Sequence, residues 1–102
     1  MTGSSRGVFA ISVAAAMVSM EIQNLRVYER RGLLQPDRTA GGTRLYSADD
    51  VARLLRIRDL LAEGLNLAGI ARVLDLEDEV DRLRARLARA GPAHEDVAPA
   101  RT

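Results

Sequence analysis

The reading of the fold starts from nine residues, "RTAGGTRLY" (38–46). Two adjacent glycines, Gly41 and Gly42, stand between Arg38 and Arg44, and the stretch closes on Tyr46. Glycine reaches positive φ without steric cost, so the Gly-Gly pair predicts a two-residue hairpin turn flanked by two very short strands. Arginine carries a permanent charge on a planar fork that suits phosphate and guanine. A hairpin with Arg at its root and glycines at its tip therefore has the chemistry of a wing laid on a phosphate backbone. Small tip residues let backbone N–H groups approach, Arg44 supplies charge and Tyr46 a hydroxyl.

Upstream of the hairpin the pattern predicts two short helices. Ser12 can cap a first helix that runs to about Val18, with Ile11 ahead of it fixing the entry angle. Ser19-Met20 reads as a tight turn. A second helix spans about residues 21–31, and Gly32 follows as a left-handed stop. Pro36 bars any helix between there and the hairpin. Two helices joined by a tight turn make a helix-turn-helix, whose second member enters the major groove. On that helix Gln23 and Asn24 can pair bidentately with adenine, and Arg26 and Arg30 with guanine.

Downstream, Ser47-Ala48-Asp49-Asp50 resembles a capping box. It opens a third helix on which Val51, Leu54, Leu55, Leu61 and Ala62 keep helical spacing, and Gly64 closes it. Asn66 can cap a fourth helix with Leu67, Ile70, Val73 and Leu74 facing inward. From Leu76 the pattern changes. Leu76, Val80, Leu83 and Leu87 recur at alternating four- and three-residue steps, the seam of a coiled coil, and make residues 76–90 a dimerisation helix. Asp75, Glu77, Asp78, Glu79 and Asp81 fill the first half of this stretch, and Arg82, Arg84, Arg86 and Arg89 the second. Antiparallel pairing sets acid against arginine; the alternative is that each half merely suits its own helix end. Gly91-Pro92 is expected to end the helix. Residues 91–102 then form a disordered tail and residues 1–7 a loose N-terminus, with one domain between, at residues 8–75.

Composition narrows the function. All fifteen basic residues are arginine, and the histidine count is one. Between Ile22 and Arg58, eight arginines face four carboxylates, a local net charge of +4. Cysteine is absent, which excludes thiol catalysis and sulfur-bound metal, and no nucleophile–base set or phosphate loop appears. The chain is read as no enzyme, with no cofactor and no metal site. The apolar run after Arg6 is too short to span a bilayer and lacks a small-residue cleavage site, so a soluble cytoplasmic protein without membrane contact is the expectation.

The residues also match a family. "LRVYERRGLLQPDRTAGGTRLYS" (25–47) resembles the MerR-superfamily pattern of Arg, aromatics and Glu, then Gly-Leu-Leu-x-Pro, then a Gly-x-Arg-x-Tyr-Ser wing. More narrowly, "FAISVAA" (9–15), "RTAGGTRLYS" (38–47) and "EGLNLAGIARVLDLE" (63–77) are similar to the HspR heat-shock repressor branch. The resemblance implies a mainly α, winged helix-turn-helix fold with a C-terminal antiparallel coiled-coil helix. It implies a homodimeric repressor binding double-stranded DNA at inverted repeats upstream of chaperone or stress genes, with a DnaK-type chaperone as a candidate corepressor. By position it marks Gln23, Arg26 and Tyr28 on the recognition helix, and Arg38, Arg44 and Tyr46 on the wing, as DNA contacts. This chain departs from the pattern at Ser19, where the turn glycine usually stands, at Glu21, which begins the recognition helix, and at Val27.

Blander readings stand beside these. Tyr28 can be an aromatic half-buried under the wing, Arg30 and Arg31 a solvated helix end, and Arg53, Arg56 and Arg58 plain solvated surface. The rival function is a MerR-shaped interaction module that modulates a J-domain or DnaK chaperone without binding promoters.

Overall fold

A computed structural model describes residues 2–97. The chain divides into two compact units between Ile70 and Ala71. The first holds helices α1 (Ile11–Val18) and α2 (Ile22–Arg30), strands β1 (Asp37–Arg38) and β2 (Arg44–Leu45), α3 (Ala48–Ala62) and the first turn of α4 (Leu67–Val97). α1 packs on α2 and on α3. The core is aliphatic, built from Ala14, Ala15 and Val18 of α1, Leu25 of α2, Leu33, Leu34 and four residues of α3, with Tyr28 and Tyr46 buried among the rest.

Three helix ends in this unit share one construction. Met20 donates its N–H to the Ala15 carbonyl (3.0 Å), Leu33 to Tyr28 (2.9 Å) and Leu65 to Leu60 (3.1 Å). These are the long bonds of a Schellman motif, which needs a left-handed residue one position earlier. Gly32 (φ 77°) and Gly64 (φ 94°) meet that need freely; Ser19 (φ 55°) does so with a Cβ. The left-handed region costs an L-residue about 1 kcal/mol, and the turn between α1 and α2 carries that cost.

The start of α1 differs from the expectation. Ala10 stands at the N-cap with no side-chain hydrogen bond, and Ser12 lies inside the first turn. Sheet pairing sets this boundary instead of a cap. Tyr46 donates to the Phe9 carbonyl (2.7 Å), and Val8 and Phe9 both donate to the Tyr46 carbonyl (2.9 Å each). The backbone is thus extended through Phe9, and the helix begins directly after. Residues 2–7 are not loose either. Thr2–Ser5 form a 3₁₀ turn, and the Gly7 N–H donates to Asp37 Oδ2 at 2.8 Å.

β1 and β2 pair antiparallel, Asp37 opposite Leu45 and Arg38 opposite Arg44. The connection is longer than the expected two-residue turn. Thr39 donates to the Thr43 carbonyl (2.8 Å), and Gly42 to the Thr39 carbonyl (2.9 Å). That closes a three-residue loop at residues 40–42, in which Gly42 (φ 88°) has positive φ and Gly41 does not. A three-residue hairpin needs one left-handed residue at its end, where a two-residue type I′ turn needs two.

α3 opens with the capping box read from the sequence. Asp50 donates its N–H to Ser47 Oγ and returns a carboxylate oxygen to the Ser47 N–H, both at 2.9 Å. Its buried row is Val51, Leu54, Ile57 and Leu60, whereas Leu55 is half-buried and Leu61 and Ala62 are exposed. Three-residue steps fall about 60° short of a turn each, so the buried face winds around the helix instead of holding one line. Asn66 caps α4 as expected, its Oδ1 accepting from the Gly69 N–H at 2.8 Å. Ile70 and Leu74 are buried, Leu67 and Val73 half-buried.

The second unit is α4 from Ala71 onward. The helix continues through Gly91-Pro92 to Val97 instead of ending at that pair. Strong helix formers precede the pair, and the proline, which costs about 3 kcal/mol in a helix interior, does not end the helix there. The remainder of the expected tail, residues 98–102, lies outside the described residues. Leu76, Val80, Leu83 and Leu87 are exposed, at 65%, 42%, 44% and 64%. An apolar stripe so open on a single chain is unpartnered surface. Among the described residues no helix is long and apolar enough to cross a membrane.

Candidate nucleic-acid interface

α2 separates two kinds of residue. Leu25 and Tyr28 face the core. Gln23, Arg26 and Arg30 follow one another at three- and four-residue steps, which places them on one face, and all three are exposed, as is Asn24. Neither Arg26 nor Arg30 has an ion pair among the described residues. Glu21 occupies the N-cap with extended backbone, and its exposed carboxylate makes no capping bond.

The wing is tied to this helix through one carboxylate. Glu29 Oε2 accepts from Arg38 Nη2 at 3.0 Å, and Glu29 Oε1 accepts from Arg44 Nε. Arg38 also donates from Nη1 to the Gly42 carbonyl at 2.9 Å. The loop is braced from within by the Thr43 N–H, which donates to Thr39 Oγ1 at 3.1 Å. Gly41 and Gly42 are exposed, and among the described residues a Cβ built at either would meet only the Thr39 hydroxyl, 3.9 Å from the one at Gly41. Glu29, 18% exposed, thus neutralises one of the two guanidinium charges it touches, and the cluster keeps a net charge of +1.

The two tyrosines are placed differently from the wing and helix contacts that the resemblance marked. Tyr28 is buried, more deeply than the half-buried aromatic of the blander reading, and burial raises its phenol above the usual value. Tyr46 is fully buried, and its hydroxyl has no hydrogen-bond partner among the described residues. Burial raises its pKa first, the Glu29 charge adds to this, and Arg44 partly offsets it. Alternation alone would put Arg44 and Tyr46, two apart, on one face; Tyr46 instead lies just past β2, in an isolated bridge to Phe9, and is buried in the core.

Side chains that the sequence reading left to solvent or passed over hold this arrangement. Arg53 donates Nε to the Leu33 carbonyl after α2, and Arg58 Nη1 donates to the Val18 carbonyl at the end of α1 (2.8 Å). Both arginines satisfy carbonyls that a helix end or loop leaves open. Glu29 had a visible signal, being the single carboxylate between Ile22 and Pro36. Gly7 had none. A Cβ there would stand 2.4 Å from the Leu45 carbonyl oxygen and 2.9 Å from Asp37 Cβ, so glycine alone fits under the wing.

Comparison with known proteins agrees with this geometry. Residues 9–77 match the MerR HTH family regulatory protein pattern. The chain is similar to the heat shock protein HspR of Streptomyces coelicolor, 47% identical over 94 residues that make up 91% of this chain and 62% of the relative. It therefore spans about three fifths of that relative's length. Among solved structures, a MerR-family transcriptional regulator from Bacillus cereus matches at TM-score 0.63 and 26% identity, over 90% of this chain and 73% of the other. HiNmlR, a MerR-family regulator solved bound to promoter DNA, matches at TM-score 0.65 over 91% of this chain and 75% of the other, and at 21% identity shares the fold. An exposed polar face on α2, an arginine wing bound to it and a pattern match across 9–77 lead to one assignment: the chain belongs to the MerR family of helix-turn-helix regulatory proteins.

Proposed function

We propose that this chain is a sequence-specific DNA-binding transcriptional regulator, a cytoplasmic repressor of heat-shock or stress genes that acts as a homodimer at inverted repeats. One observation carries the reading: Gln23, Asn24, Arg26 and Arg30 lie exposed on the helix to which Glu29 fastens the arginine wing. The exposed side chains have the donors and acceptors that read base edges, and the wing has the charge that meets phosphate. Gly41 and Gly42 allow the wing tip to approach a backbone closely. Identity to a relative named as a heat shock protein supports the stress-gene part.

The dimer is proposed through Leu76, Val80, Leu83 and Leu87, with the acidic and basic halves of residues 75–89 opposed in antiparallel register. Reversing charge at Arg84 and Arg86 together weakens the dimer in sedimentation, and reversal at Asp78 and Glu79 in addition partly restores it; absence of rescue overturns the antiparallel register. A DnaK-type chaperone is proposed as corepressor on the resemblance to the HspR branch, and a supershift on adding purified DnaK tests it.

The test of function is selection of duplexes from a random pool. An enriched inverted repeat, bound with an affinity that falls steeply with salt as counterions are released, is the expected outcome. Binding that never exceeds that to random DNA overturns the proposal in favour of a protein-interaction module.

A further inference from the structure

We propose that Glu29 is the positioning residue of the wing, and that it divides the labour of the two wing arginines: Arg38 is a strut within the protein and Arg44 is the phosphate ligand. This rests on the DNA-binding reading above. The argument is an accounting of N–H groups. Arg38 spends Nη2 on Glu29 and Nη1 on the Gly42 carbonyl, so its fork joins α2 to the tip of the hairpin. Arg44 spends only Nε on Glu29, and its two Nη groups have no partner among the described residues. A guanidinium held at Nε presents its Nη pair outward, and that pair is the edge that takes phosphate oxygens two at a time.

Glu29 has the wrong sign for a DNA-binding surface. A carboxylate near phosphates repels them, so on charge alone its removal strengthens binding. Its geometry argues the reverse. Each of its oxygens holds one arginine, the side chain is largely sheltered from solvent, and both arginines are fixed relative to the exposed face of α2 before DNA arrives. Fixing them in the free protein removes the ordering that binding would otherwise require.

The experiment uses the full chain and a duplex selected by the wild type, with affinity measured by fluorescence anisotropy across a salt series. Glu29→Gln is expected to weaken binding roughly tenfold, the loss of one charge-assisted contact, although it makes the protein more positive. Arg44→Gln lowers the slope of log Kd against log salt by about 1, as one phosphate contact disappears. Arg38→Gln and Arg38→Lys both weaken binding and leave that slope unchanged. Tighter binding by Glu29→Gln, or an equal fall in slope for Arg38→Gln and Arg44→Gln, overturns the proposal. The clamp is checked separately in the DNA-free protein by NMR. The Arg44 Nε–H exchanges slowly in the wild type and fast in Glu29→Gln; equal exchange rates overturn the pairing itself. Failure of the wild type to bind any duplex refutes the regulator reading and the phosphate role of Arg44, whereas the exchange measurement decides the clamp independently.

Discussion

Replacing Tyr46 by phenylalanine removes one oxygen atom and is expected to stabilise the protein. The ring is fully buried, and the hydroxyl has no hydrogen-bond partner among the described residues. A buried polar group left unpaired costs about 1–3 kcal/mol. The aromatic ring remains in Phe, so the packing volume changes little and the gain is the relieved desolvation of the hydroxyl. Taking the lower end, we expect about 1 kcal/mol, which raises Tm by roughly 4–8 °C for a domain of this size. Urea and thermal melts of wild type and Tyr46→Phe measure it directly. Duplex affinity is expected to stay the same, because a hydroxyl inside the core cannot reach phosphate. A less stable variant refutes the reasoning by revealing a native partner for the hydroxyl. Unchanged stability with weakened binding refutes it differently, by placing the hydroxyl at DNA in the complex.

Other substitutions test other parts of the structure. Ser19→Gly relieves the left-handed strain at φ 55° and raises stability by about 1 kcal/mol, read from the denaturant midpoint. Gly7→Ala drives a Cβ to 2.4 Å from the Leu45 carbonyl oxygen; it costs about 1–3 kcal/mol as overpacking and speeds amide exchange at Phe9 and Tyr46. The Tyr28 and Tyr46 phenols are both raised above 10.0 in the folded state. The unfolded chain therefore loses these protons first, so stability is level below about pH 10 and declines as pH rises past it; melts from pH 8 to 11 show a smaller decline in Tyr46→Phe. Glu21→Ser removes an exposed carboxylate at the head of α2 and tightens binding to any duplex, less so at high salt. A loss confined to the selected operator would instead give Glu21 a base-reading role.

How much was legible depended on whether a feature is local. Ser47 with Asp50, Asn66 with Gly69, and the glycines at 32 and 64 are short-range devices, and their residue types announce them. The exposed face of α2 follows from 3.6-residue periodicity, and Gln23, Asn24, Arg26 and Arg30 emerged on it. What the sequence hid depends on partners distant along the chain. Phe9 meets Tyr46, and that bridge sets the start of α1 beside a buried tyrosine; Gly7, among the residues that composition marks as loose, meets Asp37. Glu29 joins Arg38 and Arg44 only after the hairpin folds back on α2. The turn at residues 40–42 differs from the expected two-residue turn for a subtler reason. Two glycines permit two positive φ angles, but the Thr39–Thr43 pair closes a loop that uses one.

The arm at residues 7–9 has a consequence for how the protein is made. Gly7 bonds Asp37 across 30 positions, and Phe9 waits for Tyr46, later still. At about 5–20 residues per second, a ribosome needs roughly 2–6 s to supply the first of these partners. Until those partners are made, the arm and α1 have neither the wing root nor α2 and α3 to pack on. The order of synthesis therefore runs opposite to the order of completion: the arm emerges early, yet it can be seated only once the wing root exists.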